Sequence, residues 1–297
     1  MNSPTDRVIV GYDGSDPSAA AVEWAATEAS RRGSPLCVFY CAPYDPVVPG
    51  QFGLGAWRPT EFLSGARAVA EQGADLARKA ADDVVVTTET AMGGVAGALV
   101  HASRDYGLVV VGSRGHGPVA GLVLGSVAFA VAAHAPSPVV VVRGDPTRIP
   151  DHDHPVVVGV DGSPSSLSAA RFAAGVAASA GAPLQVVSAW DPSAWESWAI
   201  GYTAAEHLPA GRAAERRAAE DAVERAVDVV REDHPWIDVR TTVVEVSPTL
   251  ALVSASADAG LVVVGSRGRG GFTGLLLGSI SHGVIHGALC PVAVVKR

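Results

Sequence analysis

The chain has 297 residues, of which 48% are hydrophobic and 18% charged, with a formal net charge of −8. That composition excludes an intrinsically disordered chain, and the length suits two ordinary domains, each large enough to bury a core. Residues 1–150 carry 11 basic against 14 acidic side chains and residues 151–297 carry 11 against 16, so neither half offers the basic cluster that displaces counterions from nucleic acid, and no nucleic-acid partner is expected.

At the N-terminus, residues 1–7 lack the charged start and apolar core of a signal peptide, and no apolar run reaches the ~18 residues of a membrane span, so a cytoplasmic location is the expectation. Residues 7–11 read as a short apolar strand and 17–32 as a helix, joined by the turn Asp13-Gly-Ser-Asp-Pro. Asp16 is placed to cap that helix, with Pro17 at its first position. Asp13 is then spare. It either stiffens the turn or presents its carboxylate at the end of the first strand, to a sugar hydroxyl or a base amine rather than to a polyphosphate that would repel it.

A second strand spans 35–42. Cys37 and Cys41 lie about 13 Å apart on one face of it, too far to be bridged, and with Cys290 they make an odd number that forms no disulfide framework. The proline- and glycine-rich stretch 43–59 is a long loop, either a lid or variable surface. A helix over 60–81, a strand over 84–89, a short helix over 95–105, a strand over 108–111, a glycine loop, a helix over 126–134 and a strand over 138–143 complete the first half. Such alternation predicts an α/β fold with an open parallel sheet flanked by helices, whose ligand sits outside the carboxyl ends of the strands.

The boundaries expected are a first domain over 1–144, a linker over 145–154 and a second domain over 155–297. Residues 144–155 hold three prolines and mixed charge; His152 and His154 beside Asp153 are either a metal pair or ordinary linker residues. The second half repeats the plan: strand 156–160, a helix to about 180, strand 184–189, helix 212–232, strand 238–244, helix 249–258, strand 261–264, a glycine loop, a helix to 289 and strand 291–296. Its first turn reads as one residue shorter, with Ser163 capping where Asp16 did, and Asp161 keeps its place through that deletion. Trp190, Trp195 and Trp198 share a loop that caps the core, stacks on a base or meets a partner. The charged helix 212–232 presents a solvated face. His282 and His286 have the spacing of a zinc pair but no evident third ligand, which favours a structural role.

The two glycine loops carry the chemistry. Gly112-Ser-Arg-Gly115, nine residues and Gly125-Ser126 recur as Gly265-Ser-Arg-Gly268, nine residues and Gly278-Ser279, each between an apolar strand and a helix. Glycines that adopt positive φ let backbone N–H groups approach phosphate oxygens, and a helix start favours an anion by ~0.3–1 kcal/mol. Ser126 and Ser279 either cap the helix or donate to a phosphate, and Arg114 and Arg267 either supply positive charge or are plain exposed loop arginines. Neither loop contains a lysine, so neither is a Walker A motif. On this reading Gly112→Ala and Gly265→Ala crowd the phosphate while the fold is retained.

The spacing Gly-x2-Gly-x9-Gly-Ser, together with the strand-end aspartates of Val10-Gly-Tyr-Asp13 and Val158-Gly-Val-Asp161, resembles the nucleotide-binding pattern of the universal stress protein family, and the resemblance covers nearly the whole chain. It implies a tandem, ATP-binding member with a Rossmann-like five-stranded sheet in each half, strands one and four side by side, and Asp13 and Gly112 flanking one crevice. It also implies that the backbone near Cys41, matched by Ala189, borders the adenine. Where the family often places a further hydroxyl, Ser281 stands in the second half but Ala128 in the first, which predicts tighter binding at the second site. The resemblance further implies ATP, with ADP or AMP as alternatives, Mg2+ held through phosphates and water, and a role in stress response or growth control through an unidentified regulatory protein partner. The two halves are expected to pair within the chain, with another chain, or both. Catalysis beyond slow ATP hydrolysis is not expected, since His116 beside the first loop is matched by Arg269 beside the second. A slow hydrolase or phosphotransferase, and a structural dimerisation module with empty pockets, are the alternatives.

Overall fold

The structure, a computed structural model, describes residues 7–42, 59–115, 124–145, 147–191, 208–268 and 277–297. The loop at 43–58, His116, Trp195, Trp198 and Arg269 lie outside the described residues. The chain divides into two compact units, Met1–Val142 and Arg143–Arg297.

The first unit runs β1 (Val8–Gly11), α1 (Asp16–Arg32), β2 (Leu36–Ala42), α2 (Pro59–Ala80), β3 (Val86–Met92), α3 (Val95–Ala102), a 3-10 turn (Ser103–Asp105), β4 (Leu108–Gly112), α4 (Ser126–His134) and β5 (Val139–Val142). Its strands lie in the order β3-β2-β1-β4-β5, and every pair is parallel. The three strands VIVG, LVVVG and VVVV are nearly continuous apolar runs because helices cover both of their faces. Full burial of each such valine contributes about 1.5–3 kcal/mol. Helix α1 meets the sheet through Ala21, Val22, Ala25, Ala26 and Ala29, all buried.

The second unit repeats this with β6 (Val156–Gly159), α5 (Pro164–Ala180), β7 (Leu184–Trp190), α6 (Leu208–Asp233), β8 (Val239–Glu245), α7 (Pro248–Ala255), β9 (Leu261–Gly265), α8 (Ser279–Gly287) and β10 (Val292–Val295). Its order is β8-β7-β6-β9-β10, again parallel throughout. The α/β fold with parallel sheets is as expected, and strand one pairs with strand four in each unit. Among the described residues no helix is long and apolar enough to cross a membrane.

Strand β3 lies later than the 84–89 expected. It pairs along the whole of β2, from Leu36 opposite Val86 to Ala42 opposite Met92, so its span is set by its partner. Gly93, at φ 118°, ends it and donates its N–H to the Ala42 carbonyl at 3.0 Å. The connecting residues after β5 are fastened within the second unit. Gly144 turns at φ 68° against the Leu289 carbonyl, which also accepts the Asp145 N–H at 3.4 Å, and the Arg148 guanidinium donates to the Ala257 carbonyl. Asp151 Oδ1 accepts the N–H groups of Asp153 at 2.9 Å and His154 at 2.7 Å, and Pro150 packs on Gly260.

Candidate functional site

Each unit builds its site from the turn after its first strand. Ser15, not Asp16, is the N-cap of α1: its hydroxyl accepts the Ser18 N–H at 3.4 Å and donates to Asp13 Oδ1 at 2.6 Å. Asp13 Oδ1 also accepts the Ser15 N–H at 3.0 Å, and the Asp13 N–H donates to Ser18 Oγ at 3.2 Å. In the second unit Asp161 Oδ1 accepts the Ser163 N–H at 2.9 Å, Ser163 caps α5, and the Asp161 N–H donates to Ser166 Oγ at 3.4 Å. The caps therefore follow their aspartates at the same distance in sequence, and no residue has been deleted. The expected shorter turn came from pairing Ser163 with Asp16 instead of Ser15.

Because β1 pairs with β4, with Val10 opposite Val110, the chain leaves β4 at Gly112 beside the Asp13 turn. A methyl group on Gly112 would come within 2.6 Å of the Pro17 carbonyl oxygen, and one on Gly265 within 2.9 Å of the Ser165 carbonyl carbon. The first glycine of each loop thus lets the strand end pass under the start of a helix. A methyl on Gly115 would overlap Asp13 Oδ2, and one on Gly268 would lie 2.5 Å from Asp161 Oδ2. The second glycine is where loop and carboxylate meet. No glycine of either pattern has positive φ, so it is close approach and not left-handed backbone that requires glycine at these positions.

The third glycines, Gly125 and Gly278, are the N-caps of α4 and α8, at φ −65° and −70°, with no side-chain hydrogen bond at either cap. Each donates its N–H back to its own loop at 2.8 Å, to the carbonyl of Ser113 or Ser266. Ser126 and Ser279 occupy the first helical position, exposed, and do not cap. Helix starts of this kind offer N–H groups and a hydroxyl to an anion. Arg114 and Arg267 are exposed. Burial first, then the charge of Arg267, pushes the Lys296 ammonium down to about 8.

The other expected site residues lie on β2, β7 and α8. Cys41 is buried near the end of β2 with its thiol 3.7 Å from the Gly93 carbonyl, and burial raises its pKa. Ala189 is half-buried in β7. Ser281 is buried, and its hydroxyl donates to the Gly265 carbonyl at 2.7 Å, so it fastens the loop from behind. All three cysteines are free thiols. The rings of His282 and His286 are 4.4 Å apart, and among the described residues no group of three potential ligands surrounds a metal position. Sequence reasoning missed Ser165, whose hydroxyl donates to the Arg267 carbonyl. The hydroxyl run Ser163-Pro-Ser-Ser was its only signal.

The profile of the Universal stress protein family matches residues 4–143 and again residues 154–296. A universal stress protein of Mycobacterium tuberculosis is 37% identical over 310 residues, spanning all of both chains. Another, from Mycolicibacterium smegmatis, is 36% identical over 97% of this chain and 96% of its own. Among solved structures, a universal stress protein from Archaeoglobus fulgidus has a TM-score of 0.70 at 19% identity over 99% of each chain, a likeness of fold. With one match to each unit and relatives that run the full length, the chain belongs to the universal stress protein family and carries its domain twice.

Proposed function

We propose that each unit binds one adenine nucleotide, ATP in the first instance with ADP or AMP as alternatives, and that the protein is a cytoplasmic stress-response module. Its nucleotide state is read by an unidentified regulatory protein partner. The observation that carries this reading is the contact between Asp13 Oδ2 and Gly115, repeated between Asp161 Oδ2 and Gly268, beside a helix that no side chain caps. One end of the crevice offers a carboxylate suited to a ribose hydroxyl or base amine. The other offers glycine-loop and helix-start N–H groups, with Ser126 or Ser279, suited to phosphates. Gly115 and Gly268 keep side chains away from the aspartates, and Arg114 and Arg267 add positive charge at the loops. Cys41 and Ala189 would border the base. Mg2+ would be held through the phosphates and water, for the described residues offer it no carboxylate cage.

In this reading the residues hold a nucleotide and do not turn it over: neither loop has a lysine, and His116 and Arg269 do not match. Mass spectrometry of the gently purified chain, followed by ATP titration and a turnover assay, tests it. Adenine nucleotide near two per chain, without turnover, is the expected result. The absence of both co-purified nucleotide and affinity for ATP in millimolar magnesium would sink it, and steady turnover would favour a slow hydrolase.

A further inference from the structure

The second glycine loop has fastenings that the first lacks. Ser165 Oγ, at the start of α5, donates to the Arg267 carbonyl, and Ser163 Oγ lies 3.5 Å from the same oxygen. From the other side, Ser281 Oγ of α8 donates to the Gly265 carbonyl at 2.7 Å and lies 3.5 Å from that of Ser266. Ser163, Ser165 and Ser281 are all buried, so water competes little for these bonds. The matching positions of the first unit are Ser15, Pro17 and Ala128. Pro17 and Ala128 have no hydroxyl, and that of Ser15 is turned to Asp13. Among the described residues no side chain donates to the carbonyls of Gly112, Ser113 or Arg114 in the first unit.

We propose that Ser165 and Ser281 are positioning residues that hold the start of the second loop, Gly265 to Arg267, more firmly before any ligand arrives than Gly112 to Arg114 are held in the first. The two sites of one chain then fill in order, the second first. This rests on the nucleotide reading above. Groups held more firmly in advance lose less conformational entropy when a ligand binds, so equal contacts give unequal affinities.

Hydrogen exchange of the ligand-free full chain reads the fastening without any nucleotide. The Gly125 and Gly278 N–H groups make the same 2.8 Å bond, and both sit in the sequence Leu-Gly-Ser, so their intrinsic exchange rates match. Gly278 is expected to exchange about tenfold more slowly than Gly125, the size one or two hydrogen bonds give. Equal rates overturn the proposal. The pair Ser165→Ala with Ser281→Ala should bring Gly278 to the rate of Gly125. The reciprocal pair Pro17→Ser with Ala128→Ser should slow Gly125 and tighten the weaker site. That reciprocal pair also decides the matter if the alanine pair fails to fold: no change at Gly125 and none in the weaker affinity overturns the proposal.

ATP titration then reads the order. Two steps about tenfold apart are expected, the tighter one lost in Gly268→Ala and the weaker in Gly115→Ala. Two equal sites, or the reverse assignment, overturn it. Unequal exchange with no ATP bound at either site overturns the nucleotide reading, and the order of filling with it, but not the fastening.

Discussion

At Gly115 and Gly268 an added methyl group separates binding from folding. What it meets is the end of a flexible aspartate side chain, which can swing aside. Gly115→Ala should therefore cost less stability than Gly112→Ala, about 1 kcal/mol for the disturbed Ser15 bonds, while weakening ATP at the first site about tenfold or more, through loss of the aspartate from its position. At Gly112 the methyl meets the backbone of α1, which cannot yield locally, and Gly112→Ala should cost about 1–3 kcal/mol of stability. This replaces the expectation that alanine at Gly112 would only crowd a phosphate. Melting curves and ATP titrations of the two variants check both halves, and native ATP affinity in Gly115→Ala would dismantle the site. The spacing of the glycines was legible in the sequence. Their division of labour was not, because the atoms that require glycine belong to Pro17 and Asp13, about a hundred residues away. The supposed deletion before Asp161 shows the same limit from the other side: two hydroxyl-rich turns align in more than one way until the caps are seen.

Among the elements, the inner strands and the helices were legible because their apolar runs and periodicity follow from burial. The edge strand β3 was misplaced because TTETA has no apolar run to mark it, one face being open to solvent. Helix α6 is solvated where its charges lie, as in the 2.8 Å Arg216–Glu220 pair, but it buries Ala219, Ala222, Val223, Ala226 and Val230 on its other face. In α8, burial and then the charges of His282 and Arg143 push His286 below the ordinary histidine value. The unfolded chain then binds more protons than the folded one below about pH 6.5, the ordinary value. The contribution of His286 should be complete above that pH and should erode as the pH falls towards its folded value. Urea midpoints at several pH values between 7.5 and 5 should decline less steeply in His286→Gln than in the unaltered chain.

For the whole molecule, the tandem organisation was legible because a spaced pattern occurring twice is hard to produce by chance. A site in each unit predicts that ATP stabilises the protein by mass action. At a concentration 100 times the dissociation constant each occupied site adds about 2.7 kcal/mol to its unit. The melting temperature should rise with ATP, rise less in Gly115→Ala or Gly268→Ala alone, and stay flat in the double variant; a full rise in the double variant would place the nucleotide elsewhere. The way residues 144–154 are tied down bears on how the gene can be divided. A fragment starting at Pro155 would omit the partners of the Leu289 and Ala257 carbonyls and the prolyl cover over Gly260. A fragment starting at Arg143 would keep them all, so dissection of this protein into separately expressed halves calls for scissors at the end of β5, with the connector travelling as the amino-terminal strap of the second piece.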